Sequence, residues 1–242
     1  MKKRLFTLLL AVCIVTAVLT IGAAADNTWD GSVNTGWYND SAPEFTIDTA
    51  ADLAGLAKLV NEGNNFSGKI ITLGGNIDLA NKEWTPIGKS GKPFSGTFDG
   101  DRKTISNLVI STPNKSNVGL FGYTTVGEIK NFTLHNADVK GYLEVGAVAG
   151  TPYTSKYTNI AVTGLIKVEG FSYVGGALGK SAYENVTNVD VTGDTGSYVK
   201  ADSVQGSVAY RTYLGGLIGF MGEGNHSVKM CIRDRRFTDL VG

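Results

Sequence analysis

The residues able to move protons in this chain are few, and their spacing argues against a shared site. The 242-residue sequence holds two histidines, His135 and His226. Nucleophile–base catalysis needs a histidine set against a nucleophile, with a carboxylate to orient it. No Ser, His and Asp set falls into such a pattern, and His135, directly after Leu134, is expected to face solvent at a strand end. The carboxylates offer more. Glu128 and Glu184 each follow a Gly-terminated apolar phrase and are read as sharing a phase, with Lys156 on the coil between them. Equivalent positions two coil steps apart are ~10 Å from each other, at the edge of the ~6.5–9.5 Å that separates acid from base in an inverting glycosidase. Lys156 points instead to a row of surface ion pairs. Asp99 and Asp101 flank Gly100 and suit Ca²⁺ by ligand type, but an Asp-Gly turn accounts for them without a metal. Gly179-Lys180-Ser181 comes close to the end of a phosphate-binding loop. That motif requires Gly where Val174 stands, and a helix where Tyr183-Glu184-Asn185-Val186 reads as turn and strand. No catalytic residue, cofactor site or metal ligand is assigned.

What must position these residues is a repeated phrase: apolar, any, Asn, apolar, any, apolar. It occurs as Ile105–Ile110, Ile129–Leu134, Tyr157–Val162 and Val186–Val191, with starts 24, 28 and 29 residues apart. A partial copy precedes them at Asn76-Ile77-Asp78-Leu79. A second phrase keeps step: Val118–Gly122, Val145–Gly150 and Val174–Gly179 each end in Gly, seven residues before the next Asn phrase. A fourth copy, Leu214–Gly219, follows a longer insert. A period of this length marks a repeat architecture. The spacing predicts that Asn107, Asn131, Asn159 and Asn188 stack as one ladder, because Asn tolerates left-handed corners and stacked amides hydrogen-bond along the axis.

Residues 1–25 read as an export signal: Lys2, Lys3 and Arg4, an apolar stretch from Leu8 to Ile21, then Ala23-Ala24-Ala25. Cys13 lies inside the apolar run with Val12 before it, which does not suit a lipoprotein site. Cys13 leaves with the signal and Cys231 lies in the tail, so the body carries no disulfide framework and no thiolate metal site. The chain has zero formal net charge; without the three basic residues of the signal, 19 basic face 22 acidic residues. That balance gives no electrostatic footprint for nucleic acid. Membrane contact is expected only through the signal before cleavage.

Residues 26–66 form a distinct N-terminal cap. Trp29, Trp37, Tyr38 and Phe45 precede Leu53, Leu56, Leu59 and Val60 at helical spacing. Thr49 can cap that helix, Asp52 suits its first turn, and Gly63 is its stop. From residue 67 to 228 the text is strands and Gly, Asn and Asp turns, with no further helical period. Parallel pairing must then come from coiling the chain on itself. The expected fold is all-β: a right-handed parallel β-helix, or β-solenoid, with a short N-terminal capping helix covering its open end.

These phrases carry a family resemblance. Val-Gly-x-x-x-Gly with the Asn phrase after it resembles the GLUG repeat of bacterial secreted and surface proteins. Ile71–Ile110, with Trp84–Gly88 and Gly96–Gly100, resembles the segment leading into those repeats, and Trp29-Asp30-Gly31 with the Thr49–Val60 helix resembles their start. The resemblance covers roughly residues 29–225. It implies an exported, non-enzymatic, adhesin-like repeat protein, secreted or at the cell surface. Such a protein acts in attachment or in binding a glycan or surface ligand; it implies no catalytic residues. Tyr142, Tyr153, Tyr173 and Tyr183 are candidates for stacking on sugars. The rival expectation is a carbohydrate-cleaving β-helix enzyme. Residues 229–242 break the pattern: an Asn phrase is due at 226, and Met230-Cys231-Ile232-Arg233-Asp234-Arg235 stands nearby instead. That hexapeptide matches the translation of a DNA-library adapter. A non-native tail is therefore expected, with further coils of the natural chain beyond residue 228.

Overall fold

The computed structural model describes residues 28–182, 185–201, 204–205, 208–209, 213–221 and 227–229. The signal segment, Cys13, Tyr183, Glu184, His226 and the stretch from Met230 onward lie outside them. The chain forms a parallel β-solenoid of about five turns with a single helix. Its main sheet stacks Glu44–Ile47, Ile70–Leu73, Thr97–Ser111, Glu128–Lys140, Lys156–Gly170, Asn185–Gly193 and Ser227–Lys229, in that order and all parallel. Two narrower sheets close each coil. Leu143–Gly146, Ser172–Gly175 and Leu214–Gly215 make one; Phe121–Thr125, Ala149–Tyr153, Leu178–Ser181 and Ile218–Met221 make the other.

The coil is built from the alternation of side chains along extended backbone. In the strand Glu128–Lys140, Ile129, Phe132, Leu134, Ala137 and Val139 are buried while Thr133 and His135 point outward. Each inward position stacks on its equivalent one coil away. Phe98, Ile129, Tyr157 and Val186 form one buried column, and Ile105, Leu134, Val162 and Val191 another. Burial of a single Phe or Leu side chain contributes ~1.5–3 kcal/mol, and a coil collects it only when neighbours cover it on both sides. Tyr157 brings a hydroxyl into this interior and shares a 2.7 Å hydrogen bond with the buried Thr124 hydroxyl.

The Gly phrases are in register: Val118, Val145, Val174 and Leu214 align, and the terminal Gly122, Gly150, Gly179 and Gly219 fall one above another. Here the chain folds sharply back. A Cβ on Gly179 would lie 2.5 Å from the Val145 nitrogen and 2.6 Å from the Gly150 oxygen, so no side chain fits the column. The longer insert before Leu214 contains Tyr198–Ala201, paired with the end of Lys156–Gly170, and an antiparallel pair, Val204–Gln205 with Val208–Ala209.

The helix Ala50–Glu62 forms for the reasons its sequence supplies. Thr49 and Asp52 close a reciprocal capping box, with the Thr49 hydroxyl accepting from the Asp52 N–H and the Asp52 carboxylate accepting from the Thr49 N–H. Gly63 ends it at φ 127°, donating to Leu59 and Val60 carbonyls. Leu53, Leu56 and Val60 are fully buried in the same core as the coils, and Leu59 is half-buried. Trp37, Tyr38, Phe45 and Phe66 pack edge-on and tilted beside it, with centroids 5.2–6.2 Å apart. The helix thus covers the apolar end that the first coil would expose to water.

Two sequence expectations shift by small registers. Ile77 pairs with Ile105 and Asp78 with Ser106, so Asn76 aligns with Thr104 rather than with Asn107. The partial copy is therefore out of phase by three residues. At the other end, Val228 pairs with Val186, nine residues after Gly219 instead of seven, and Lys229 pairs with Thr187. In-register backbone thus runs one residue past the boundary expected at 228. In sequence, Met230 follows where the other phrases carry Asn.

Candidate functional site

The asparagines stand at sharp corners of the long strands. Asn107, Asn131, Asn136, Asn159 and Asn188 all have φ between 52° and 61°, a left-handed conformation that Asn adopts more readily than other side-chain-bearing residues. A left-handed residue inside extended chain turns the strand, so the residues on both sides can point into one core. That requirement produces apolar residues flanking each Asn.

The structure splits the expected ladder in two. Asn188 Nδ2 donates to Asn159 Oδ1 at 2.8 Å, Asn159 Nδ2 to Asn131 Oδ1 at 3.1 Å, and Asn131 Nδ2 to Asp99 Oδ1 at 3.0 Å. Asn107 is not in that column. Ser106 pairs with His135 and Leu108 with Ala137, which places Asn107 beside Asn136. Asn136 Nδ2 donates to Asn107 Oδ1 at 3.0 Å, and Asn107 Nδ2 to Asp78 Oδ1 at 2.8 Å. The 24-residue interval between the first two phrases is the reason: it is shorter than one coil and leads from one corner to the other. Sequence reasoning missed Asn136, Asp78 and Asp99. The 29-residue separation of Asn107 from Asn136, equal to that of Asn159 from Asn188, was the available signal.

Over the first ladder runs an open groove of about 750 Å³, lined by Asp99, Arg102, Asn131, Asn159, Asn188 and Asp190, among others. It crosses the coils that carry the ladder, roughly 14 Å at ~4.8 Å per coil. Phe132, Ile160 and Ala161 line it beside these polar side chains. One atom in it is an orphan: Asp190 Oδ1 is buried without a hydrogen-bond partner, while its other oxygen accepts from the Thr192 hydroxyl at 3.1 Å.

The acidic candidates do not converge. Lys156 pairs with Asn185 and with Glu128, so Asn185 takes the position expected of Glu184. The column at this position runs Glu128, Lys156 and Asn185, without Glu184. Glu128 pairs with Lys130 on its own strand at 3.1 Å rather than in a row with Lys156. Asp99 Oδ1 accepts from the Asp101 N–H at 3.0 Å, and Asp101 pairs with Lys103 at 3.2 Å, so an Asp-Gly turn explains both. His135 is exposed, as expected, but lies within its strand rather than at the end, with Nδ1 3.1 Å from the Thr163 hydroxyl. Leu178–Ser181, around the lysine of the near phosphate loop, is a strand.

Two of the candidate tyrosines stack on other aromatic rings. Tyr142 stacks on Phe171 at 5.2 Å, and Tyr173 stacks on Tyr213 at 4.9 Å with the Lys180 ammonium 5.0 Å from its ring centre. Tyr153 is 42% exposed. Beside this cluster sits Glu144, at φ 53°. Burial raises its carboxyl above the ordinary range, and the nearby Lys180 charge partly offsets the effect. Burial also raises the Tyr123 phenol, with Tyr153 and Glu144 adding to it.

The chain is similar to two curated proteins. It is 34% identical over 189 residues to halomucin of Haloquadratum walsbyi, an alignment covering 70% of this chain and 2% of that protein. It is 28% identical over 151 residues to a Gly-rich membrane protein, so named by inference, of Evansella cellulosilytica, covering 59% of this chain and 17% of that one. The chain therefore spans a small part of either relative. No protein-family model and no solved structure matches it. Among the described residues, no helix is long and apolar enough to cross a membrane.

Proposed function

We propose that this chain is part of an exported, non-enzymatic surface protein whose coil stack presents a binding face for attachment to a glycan or other surface ligand. The observation that carries the reading is the groove over the first ladder, where successive coils present the same amide at the same place. A repeated polar surface suits a ligand that is itself a repeating, hydroxyl-rich polymer. One relative carries a mucin's name and the other a membrane protein's, and both names fit a surface setting. The GLUG resemblance belongs to the same reading. A fold by itself does not assign a function; the groove is what distinguishes this coil stack.

The enzymatic alternative draws on Glu128 as a candidate acid. Among the described residues its column continues through Lys156 and Asn185, and Lys130 already pairs with it. The test is a panel of surface polysaccharides incubated with the full chain. Retention of the chain on at least one polymer is expected, with neither new reducing ends nor unsaturated uronate released. Cleavage that disappears in Glu128→Gln would overturn the reading in favour of the enzyme.

A further inference from the structure

Two rows of side chains floor the groove over the first ladder. One is the amide row Asn131, Asn159 and Asn188. The other is Thr133, Ala161 and Asp190, which pair coil to coil and all line the groove. The second row is uneven. Thr133 and Asp190 project beyond Cβ, whereas Ala161 between them stops at its methyl. The floor therefore dips over the third coil. A hydroxyl flanks the dip one coil step to one side and a carboxylate one coil step to the other, with Asn159 two residues away on the same strand.

The amides keep capacity that the ladder does not use. An Asn side chain carries two N–H donors and two acceptor lone pairs. Asn159 gives one N–H to Asn131 and one lone pair to Asn188, and it is exposed. The remaining N–H and lone pair match two adjacent ring hydroxyls of a sugar, one accepting and one donating. Asn188, also exposed, repeats the offer ~4.8 Å further along the axis.

Charge is uneven along the groove. At the first-coil end Arg102 stands with Asp99 and Asp101, and Lys130 and Lys103 lie 3.9 and 3.2 Å from those two carboxylates. The coils beyond line the groove with one charged side chain, Asp190, which has no ion-pair partner among the described residues. An acidic sugar in the dip would face that carboxylate across one coil step, a repulsion of about fivefold in affinity even at the dielectric of water.

We propose that the groove binds a neutral polysaccharide lying along the coil axis, with one hexose ring seated over Ala161. Adjacent hydroxyls of that ring engage the spare N–H and lone pair of Asn159, and the next unit meets Asn188. Ala161 sets the fit by the space it leaves, and Asp190 sets the selectivity by repelling acidic units. The proposal rests on the glycan-binding reading above and names the ligand class and its seat.

The experiment is a two-dimensional amide NMR titration of the full chain with neutral glucose and mannose oligomers of one to five units, in β-1,3 and β-1,4 linkage, and with oligogalacturonate of the same lengths. Saturable shifts are expected at the Asn159 and Asn188 side-chain amides with at least one neutral series. Three units should bind at least about tenfold more tightly than one, since linked contacts reinforce each other. Oligogalacturonate should bind roughly fivefold or more weakly than the neutral oligomer of equal length, and Asp190→Asn should remove most of that difference. Ala161→Ile fills the dip with a strand-compatible side chain and should abolish binding with an unchanged thermal midpoint. Preference for oligogalacturonate, a selectivity untouched by Asp190→Asn, neutral binding that survives Ala161→Ile, or no shift at the two amides each overturns the proposal. Retention on a surface polysaccharide that persists in Ala161→Ile sinks this inference and leaves the function standing. Retention on no polymer sinks the function itself.

Discussion

The two asparagine ladders begin alike and end differently. Each starts at an aspartate one residue ahead of the corner in the next coil: Asp78 opposite Ser106, Asp99 opposite Lys130. Each aspartate uses Oδ1 twice, for the Asn amide above and for the backbone N–H two residues on, at Ala80 and at Asp101. Two left-handed residues follow in both cases, Ala80 and Asn81, Asp101 and Arg102. The chemistry explains the choice. An ionised carboxylate only accepts, whereas an amide accepts and donates, so Asp can stand only at the accepting end of such a chain. The far ends diverge. A bulge at Gly164 lets the Leu165 N–H donate to Asn136 Oδ1 at 2.9 Å and shuts the second ladder. The first runs on through Asn159 to Asn188, whose Oδ1 receives no donor among the described residues. The backbone can close a column; a side chain alone keeps it open.

The largest effect should come from the segment that both ladders flank, Phe132 to His135. Phe132 is 2% exposed and lies directly after the Asn131 corner. Phe132→Ala should cost ~3–5 kcal/mol in denaturant unfolding, against less than ~0.5 kcal/mol for Thr133→Ala. Equal midpoints would mean that the ladders do not share a packed floor.

A middle rung and an end rung should then differ. Among the described residues Asn159 both donates and accepts, while Asn188 only donates. Replacement by Gly keeps the left-handed backbone and removes the amide alone. Asn159→Gly should destabilise by roughly one hydrogen bond more than Asn188→Gly, about 1 kcal/mol. Equal losses would mean the amides serve only their own corners.

Coupling sharpens the assignment of columns. Double-mutant cycles should give ~0.5 kcal/mol or more for Asn131 with Asn159 and for Asn107 with Asn136, and additivity within ~0.3–0.5 kcal/mol for Asn107 with Asn131. Coupling between Asn107 and Asn131 would restore the single ladder that spacing alone predicts.

The smallest effect lies away from both ladders and serves as their control. Glu144 has a raised folded-state pKa from burial. Its contribution is present at pH below the ordinary carboxylate value and is lost as pH rises through the raised one. Stability measured across that window should therefore fall with rising pH in the parent and fall less in Glu144→Gln. Identical pH profiles would show that the carboxyl is solvated.

The coil length, the inward and outward positions and the capped helix were all legible in residue order. They depend on local alternation, on the Thr49–Asp52 box and on intervals that repeat. The ladder was legible only in part. Asn107 and Asn131 sit in the same phrase because any left-handed corner between two inward-facing residues produces it, whichever side of the coil it occupies. Only the interval separates them, and 24 residues is not a coil. Glu184 was legible by counting: Glu128 and Lys156 stand six residues after Gly122 and Gly150, whereas Glu184 stands five after Gly179 and Asn185 stands six.

The one-way hydrogen bonding of the first ladder has a consequence for how such chains change length over evolutionary time. Each middle rung receives from one neighbour what it gives to the other, so a duplicated unit of 28 or 29 residues slots in with every amide still satisfied. Deleting a unit rejoins donor to acceptor just as cleanly. The aspartate start is needed once, whatever the number of units that follow. A gene segment encoding this architecture can therefore expand or contract by whole units without leaving an amide of the ladder unmatched.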